Sequence, residues 1–240
     1  AQPASDVVLN VTSSDTGEAT VNSPLTFTAG NWNTAQTVTV TGVDDNLVDG
    51  TIGSTITVTV NDGSSDNNFD AVADQTVSVN TTDDDTAGFT IVQSGGSTAV
   101  AETGTTDTFT VVLDAQPNSN VVLSVTSGDT GESTVSTGNL TFTSGNWNTP
   151  QTVTVTGVDD NIIDGTVTSV ITLSVVDAVT DDNFDAVANQ TVSATTADND
   201  TAGFTVVESG GSTSVSETGT TDTFTVVLDA QPDSDVVFII

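Results

Sequence analysis

The chain has 240 residues, with 33 Asp and Glu and no Lys, Arg or His, giving a formal net charge of −33. That balance excludes nucleic acid and anionic membrane surfaces as partners, because both are held through Lys and Arg patches. With no Cys there is no disulfide brace and no thiolate site for zinc or iron–sulfur, and no apolar run reaches the length of a membrane-spanning helix.

Hydrophobic residues still make up 35% of the sequence, mostly in short alternating runs that can bury a core. The chain opens at Ala1 without an initiator Met or the basic region of a signal peptide, and so reads as processed or excerpted. Residues 1–85 read as an incomplete β-sandwich repeat lacking its first strands and closed by the acidic run Asp83-Asp84-Asp85. Residues 86–200 read as a complete repeat. Alternation of period two predicts its strands over Phe89–Val92, Thr108–Leu113, Val121–Val125, Leu140–Thr143, Thr152–Val158, Val170–Val176 and Thr191–Thr195. Val alternates with Thr from Thr152 to Val158, so one face packs inward while hydroxyl residues face solvent. Turn clusters such as Gly128-Asp129, Ser144-Gly145-Asn146 and Asp164-Gly165 separate the runs. Residues 201–240 hold only the opening strands of a further repeat.

The repetition is explicit. ETGTTDTFTVVLDAQP runs from Glu102 to Pro117 and returns unchanged from Glu217 to Pro232, a period of 115 residues. Trp32 and Trp147, Phe69 and Phe184, and Asp85 and Asp200 keep the same spacing; the first repeat is one residue shorter beside Pro24. A period of this size fits a domain rather than a solenoid unit. The predicted fold is therefore all-β: tandem immunoglobulin-like, seven-stranded antiparallel β-sandwiches whose acidic loops gather at the ends and meet at junctions. Two readings of the partial ends stand. One is a window onto a longer array; the other is a protomer whose 201–240 segment completes the 1–85 segment of the next by strand donation.

Glu102, Asp129, Asp159, Asp160, Asp164, Asp198 and Asp200 all fall at predicted loops or strand ends of the complete repeat. Two unit charges ~4 Å apart repel by about 4 kcal/mol at an effective dielectric of ~20, so carboxylates converging there need protons or a cation. An oxygen-only donor set suits calcium, whereas the His and Cys favoured by zinc and copper are absent. A second acidic loop, Asp62, Asp66, Asn67, Asn68 and Asp70, recurs as Asp177, Asp181, Asp182, Asn183 and Asp185. It reads either as a separate calcium site or as a solvated turn. Trp32 and Trp147, each in a GNWNT turn, read as cover for a core edge or as a sugar-stacking platform. Asn10, Asn80 and Asn189 head N-glycosylation sequons.

The stretches VAETGTTDTFTVVL, LTFTSGNWNTPQTVTVTGVDDNIIDG and ADNDTAG together resemble the Calx-β domain, an acidic-loop sandwich recurrent in sodium–calcium exchangers and large bacterial surface proteins. The resemblance implies that calcium is held at one end of the sandwich. Its ligands are a Glu of the early strand, an Asp of the next acidic loop, the paired Asp after the fifth strand and a closing Asp triplet. By resemblance these roles fall on Glu102, Asp129, Asp159, Asp160, Asp164, Asp198 and Asp200. The first repeat offers Asp15, Asp44, Asp45, Asp49, Asp83, Asp84 and Asp85, and the third offers Glu217. Asn199 replaces an Asp of the triplet, which implies fewer or weaker ions at that junction.

Without His, Lys, Cys or Arg, only carboxylates and hydroxyls remain for catalysis, and the acidic clusters recur in each repeat, so no enzyme is expected. The expected function is structural: a repeat region of an extracellular or bacterial cell-surface stalk, adhesin or filament. Ca2+ at the junctions stiffens it, and its partners are neighbouring repeats or identical protomers. The alternatives are an adhesin module that binds glycans or another cell surface, and a filament subunit assembled by donor-strand exchange between residues 201–240 and 1–85.

Overall fold

The fold is given by a computed structural model, which describes residues 1–232 and 234–239. The chain forms two compact units, Ala1–Ala87 with Ala115–Asn118, and Gly88–Asp114 with Ser119–Ile240.

Unit 1 contains β1 (Val7–Ser13), β2 (Ala19–Val21), β3 (Leu25–Phe27), β4 (Val40–Gly42), β5 (Ile52–Val60) and β6 (Gln75–Thr81). Strands β3-β1-β5-β6 form one antiparallel sheet, and β2 pairs with β4 in a second, two-stranded one. Val7, Val11, Ala19 and Ile56, with Ala115 from the segment described next, are among its buried apolar residues. The segment Ala115–Asn118 joins this unit through its backbone. Gln116 N–H donates to the Asn46 carbonyl at 2.7 Å and Val48 N–H to the Gln116 carbonyl at 3.0 Å.

Unit 2 contains a full sandwich. Its strands are β7 (Phe89–Gln93), β8 (Thr98–Ala101), β9 (Thr106–Leu113), β10 (Val121–Ser127), β11 (Ser133–Val135), β12 (Asn139–Phe142), β13 (Gln151–Gly157), β14 (Val167–Val175) and β15 (Gln190–Ala197). They make a five-stranded sheet, β12-β10-β14-β15-β8, and a four-stranded sheet, β11-β13-β9-β7. All seven predicted strands are present. The expected count of seven is corrected to nine by the short strands β8 and β11. The pairing is antiparallel except that β8 runs parallel to β15.

Side-chain alternation explains why these segments pair and face one another. Val121, Leu123 and Val125 of β10, Ile171 and Leu173 of β14, and Val192 and Ala194 of β15 are buried on the inner face of the first sheet. Phe109, Val111 and Leu113 of β9 and Val153 and Val155 of β13 are buried on that of the second. Phe184 closes the core from a short 3-10 turn. Burying such a face is the main force holding two sheets together, at roughly 25 cal/mol per Å² of apolar surface removed from water.

The remainder of unit 2 is a hairpin of β16 (Phe204–Glu208) and β17 (Phe224–Leu228). Its pairing, Phe204 with Leu228 through Glu208 with Phe224, repeats that of Phe89 with Leu113 through Gln93 with Phe109. Gln231 N–H donates to the Asn161 carbonyl at 2.6 Å, as Gln116 does to Asn46 in unit 1. Among the described residues no helix is long and apolar enough to cross a membrane.

Candidate metal centre

Strand register brings four loops of unit 2 to one edge of the sandwich. Ser133 at the start of β11 pairs with Gly157 at the end of β13, and Ala197 at the end of β15 lies beside Ala101 at the end of β8. Glu102 therefore leaves β8, Glu132 enters β11, Asp159, Asp160 and Asp164 occupy the β13–β14 loop, and Asp198 to Asp200 leave β15. Carboxylate oxygens of Glu102, Asp198 and Asp200 lie within 4.8 Å of one another, and those of Glu132, Asp160 and Asp164 do likewise.

Backbone groups fix this frame. Glu102 N–H donates to the Ala197 carbonyl at 3.1 Å, and Glu102 Oε2 accepts the Asn199 amide at 3.0 Å. Asp198 accepts from Asp200 N–H at 2.6 Å and from Gly165 N–H at 2.9 Å. Gly165 has φ +77°, a left-handed conformation that glycine adopts without the steric cost of a Cβ. Asp160 Oδ1 accepts Ile162 N–H at 2.6 Å, closing the loop on itself.

The electrostatics are those of crowded anions. The Asn199 amide pulls the Glu102 pKa down, but burial and the charges of Asp198, Asp160 and Asp164 outweigh it and leave it raised. Burial, then Asp164, Asp129, Asp160 and Glu102, raise Glu132. Burial and the neighbouring aspartates raise Asp200, whereas the amides of Gly165 and Asp200 hold Asp198 below the usual range. Glu102 is 2% exposed and Glu132 7% exposed. Glu132 Oε2 and Asp200 Oδ2 are buried without a hydrogen-bond partner.

Calcium fits this donor set. It binds hard oxygens at about 2.3–2.6 Å, so two ligands of one ion can stand up to about 5 Å apart, the span of each triad. Orphaned carboxylate oxygens in a chain with no basic side chain have only a cation, a proton or water to satisfy them. Carbonyls or water would complete six to eight ligands.

The other residues named from sequence fall as follows. Asp159 stands beside the first triad, its Oδ1 accepting Asn199 Nδ2 at 2.9 Å. Asn199, a substitution within the acidic triplet, thus binds two of the acids that surround it. Asp129 lies in neither triad; its Oδ1 accepts Gly131 N–H at 3.0 Å and shapes its own turn. In unit 1, Asp44, Asp45, Asp49, Asp83, Asp84 and Asp85 line one cleft together with Glu18. Asp83 accepts from Asp49, Gly50 and Asp85 amides, as Asp198 does from its own loop. Asp15 is spent on Gly17 N–H, like Asp129. Glu217 is exposed on the turn before β17, outside both triads.

Sequence reasoning missed Glu132 and its counterpart Glu18. Each stands three residues beyond the aspartate chosen instead, in GDTGES and SDTGEA. Recurrence of that Glu at the same place in both repeats was the available signal. The second acidic loop acts as a tether. Asp66 accepts from the amides of Ala4, Ser5 and Asn68, and Asp181 from those of Ser119 and Asn183. Trp147 is half-buried and its carbonyl accepts Leu113 N–H at 3.1 Å, whereas Trp32 lines an apolar groove with Leu9, Phe27, Val60 and Phe69.

Fold and site together define a β-sandwich with paired acidic triads at one edge. No family model matches the chain, and no curated protein matches it. Similar solved structures include domains 4 and 5 of the S-layer protein SbsC, at 20% identity over 79% of this chain and 70% of that one, with a TM-score of 0.36. SbsC domains 1–6 align at 16% identity over 92% of this chain and 28% of that one, TM-score 0.37. SSP-19 of Caenorhabditis elegans, an MSP-domain-like protein, aligns at 15% identity over 45% of this chain and 97% of its own, TM-score 0.30. At such scores nothing about this chain's function rests on these likenesses.

Proposed function

We propose that this chain is a structural repeat region of an extracellular, bacterial cell-surface protein, a stalk, adhesin or filament, whose acidic triads bind Ca2+ and stiffen the array. The observation that carries this reading is the pair of buried, unpartnered oxygens, Glu132 Oε2 and Asp200 Oδ2, each within a three-carboxylate group. A solvated acidic surface leaves its carboxylates in water. Here they are turned toward one another with no basic residue to neutralise them.

The ligands on this reading are Glu102, Asp198 and Asp200 at one position and Glu132, Asp160 and Asp164 at the other, with Asp159 beside the first. Glu18, Asp45, Asp49, Asp83 and Asp85 supply the equivalent centre in unit 1, flanked by Asp44 and Asp84. The loop that holds Asp159, Asp160 and Asp164 also receives Gln231 of the following repeat through the Asn161 carbonyl. Ordering that loop with an ion thereby fixes where the next repeat begins. Partners are neighbouring repeats or identical protomers, and the chain is not an enzyme.

A thermal melt in excess calcium and in chelator tests this. If free calcium exceeds its dissociation constant 100-fold, one ion adds about 2.7 kcal/mol of stability. Glu132→Gln combined with Asp200→Asn is expected to remove most of the calcium-dependent rise while the chelated protein still folds. An identical rise in wild type and variant would refute the assignment.

A further inference from the structure

We propose that the Asp62–Gly63 peptide is a site of spontaneous backbone isomerisation, where aspartate converts to isoaspartate, while the two other Asp-Gly pairs of the chain are held against the same reaction.

The chemistry needs only a carboxyl side chain and the amide that follows it. Gly63 N attacks Asp62 Cγ, an N–Cγ bond forms, and the carboxyl hydroxyl leaves with the amide proton as water, giving a five-membered succinimide. Water then adds to the former main-chain carbonyl carbon of Asp62, and the bond from that carbon to Gly63 N breaks. The main chain now runs through Cβ and Cγ and the α-carboxyl is free. One water has been released and one consumed, with no change of oxidation state. A Cβ on the following residue hinders the attack, so glycine there favours it.

The sequence has three Asp-Gly pairs, Asp49-Gly50, Asp62-Gly63 and Asp164-Gly165, and no Asn-Gly pair. Their surroundings differ. Gly50 N–H donates to Asp83 Oδ2 at 2.8 Å and Gly165 N–H to Asp198 Oδ2 at 2.9 Å, and both glycines are left-handed, at φ +76° and +77°. Bringing either nitrogen to the Cγ of the preceding aspartate means turning a peptide plane that a hydrogen bond to a carboxylate fixes, and such bonds are among the stronger ones. Gly63 N–H has no acceptor among the described residues, and Asp62, Gly63 and Ser64 are all exposed. Its peptide lies in a single 3-10 turn. Ser64 N–H closes that turn on the Asn61 carbonyl at 2.9 Å, and Ser65 N–H reaches the Asp62 carbonyl only at 3.5 Å, the outer limit of a hydrogen bond. One such turn opens far more readily than the strands beside it.

Unit 2 carries the internal comparison. Its equivalent turn, Asp177–Val179, is exposed in the same way, so the accessibility of Asp62 is a property of this loop in a full sandwich too. There Ala178 stands where unit 1 has Gly63. In unit 1 the turn is clamped on both sides to Val8 of β1. Asn61 N–H donates to the Val8 carbonyl at 2.9 Å, and Ser65 Oγ accepts Val8 N–H at 2.9 Å. Isoaspartate puts one extra carbon into the main chain between these clamps and a carboxylate on the α-carbon, so conversion loosens the turn from β1.

The experiment is ageing of the 240-residue chain at mildly acidic pH in chelator, which keeps ions away from Asp49 and Asp164. Chymotryptic cleavage after Leu47 and Phe69 leaves Asp49 and Asp62 in one peptide, and electron-transfer fragmentation locates the β-linkage. Isoaspartate at Asp62 is expected to exceed that at Asp49 and at Asp164 by about tenfold, the factor that ~1.4 kcal/mol of extra opening cost produces. Gly63→Ala is expected to melt as wild type does, because a Cβ there meets nothing closer than Asn61 Oδ1 at 3.9 Å. The same variant is expected to lose most of the methyl groups that an isoaspartate-specific carboxyl methyltransferase transfers to the aged chain. Equal conversion at the three pairs, or methyl incorporation that Gly63→Ala leaves unchanged, overturns the proposal. So does an aged chain with no isoaspartate at Asp62.

Discussion

At the scale of single residues, two serines show how finely the repeats differ. In the full sandwich Ser133 and Ser169 hydrogen-bond to each other at 2.5 Å in the core. The first repeat has Ala19 in place of Ser133, and Ser54, the counterpart of Ser169, is 3% exposed with its hydroxyl unpartnered. A buried polar group without a partner costs about 1–3 kcal/mol. Ala19→Ser is expected to stabilise unit 1 by roughly 1 kcal/mol, and Ser54→Ala by a similar amount, in denaturant titrations. The carboxylates make a second residue-scale prediction. Glu102, Glu132 and Asp200 have raised pKa values, so the folded state holds their protons more tightly than the unfolded state does. Stability from these groups is complete at low pH and is lost as pH rises through their folded values. In chelator the melting temperature should therefore rise as pH falls from neutral toward about 5, and then drop as Asp198, whose pKa is lowered, is finally protonated. In calcium the first trend reverses, because protons and the ion compete for the same oxygens.

At the scale of elements, close approach of backbones sets the limits. Gly157→Ala forces the β8 carbonyl aside and is expected to cost at least 1–3 kcal/mol, the usual penalty for overpacking, in a melt of unit 2. Period-two alternation made the long strands legible: Val153 and Val155, or Ile171 and Leu173, announce an inner face by composition alone. Strands β8 and β11 were not legible, because four and three residues carry too little pattern and both exist through pairing with distant partners, β15 and β13. The same gap explains the site. Glu132 resembles a turn residue until β11 is paired and its carbonyl takes Val158 N–H at 2.9 Å, turning the side chain inward. Asp129 looked equivalent on paper, yet it is committed to Gly131. Asp198 and Asp200 were legible because an acidic triplet ending a strand has few roles other than binding a cation or facing water.

At the scale of the whole molecule, a net charge of −33 with no compensating side chain means that folding gathers like charge. Monovalent salt screens this over about 10 Å at 0.1 M, reaching exposed carboxylates far better than buried ones. Adding sodium chloride to the chelated protein is thus expected to raise its melting temperature gradually without saturation. Micromolar to millimolar calcium should produce a larger, saturable rise at constant ionic strength. A salt response equal to the calcium response would reduce the acidic edge to surface charge.

The contact between Gln231 and Asn161 bears on how such a chain can lengthen. One loop positions Asp160 and Asp164 and also offers the carbonyl that meets the following repeat, as Asn46 does for Gln116. An inserted residue there would shift ligand and joint together. The length difference between the first two repeats instead lies at Pro24, between β2 and β3, where it disturbs neither. A change of one residue is accommodated in the β2–β3 turn, whereas the loop that carries both the ligands and the joint keeps the same length in the two repeats.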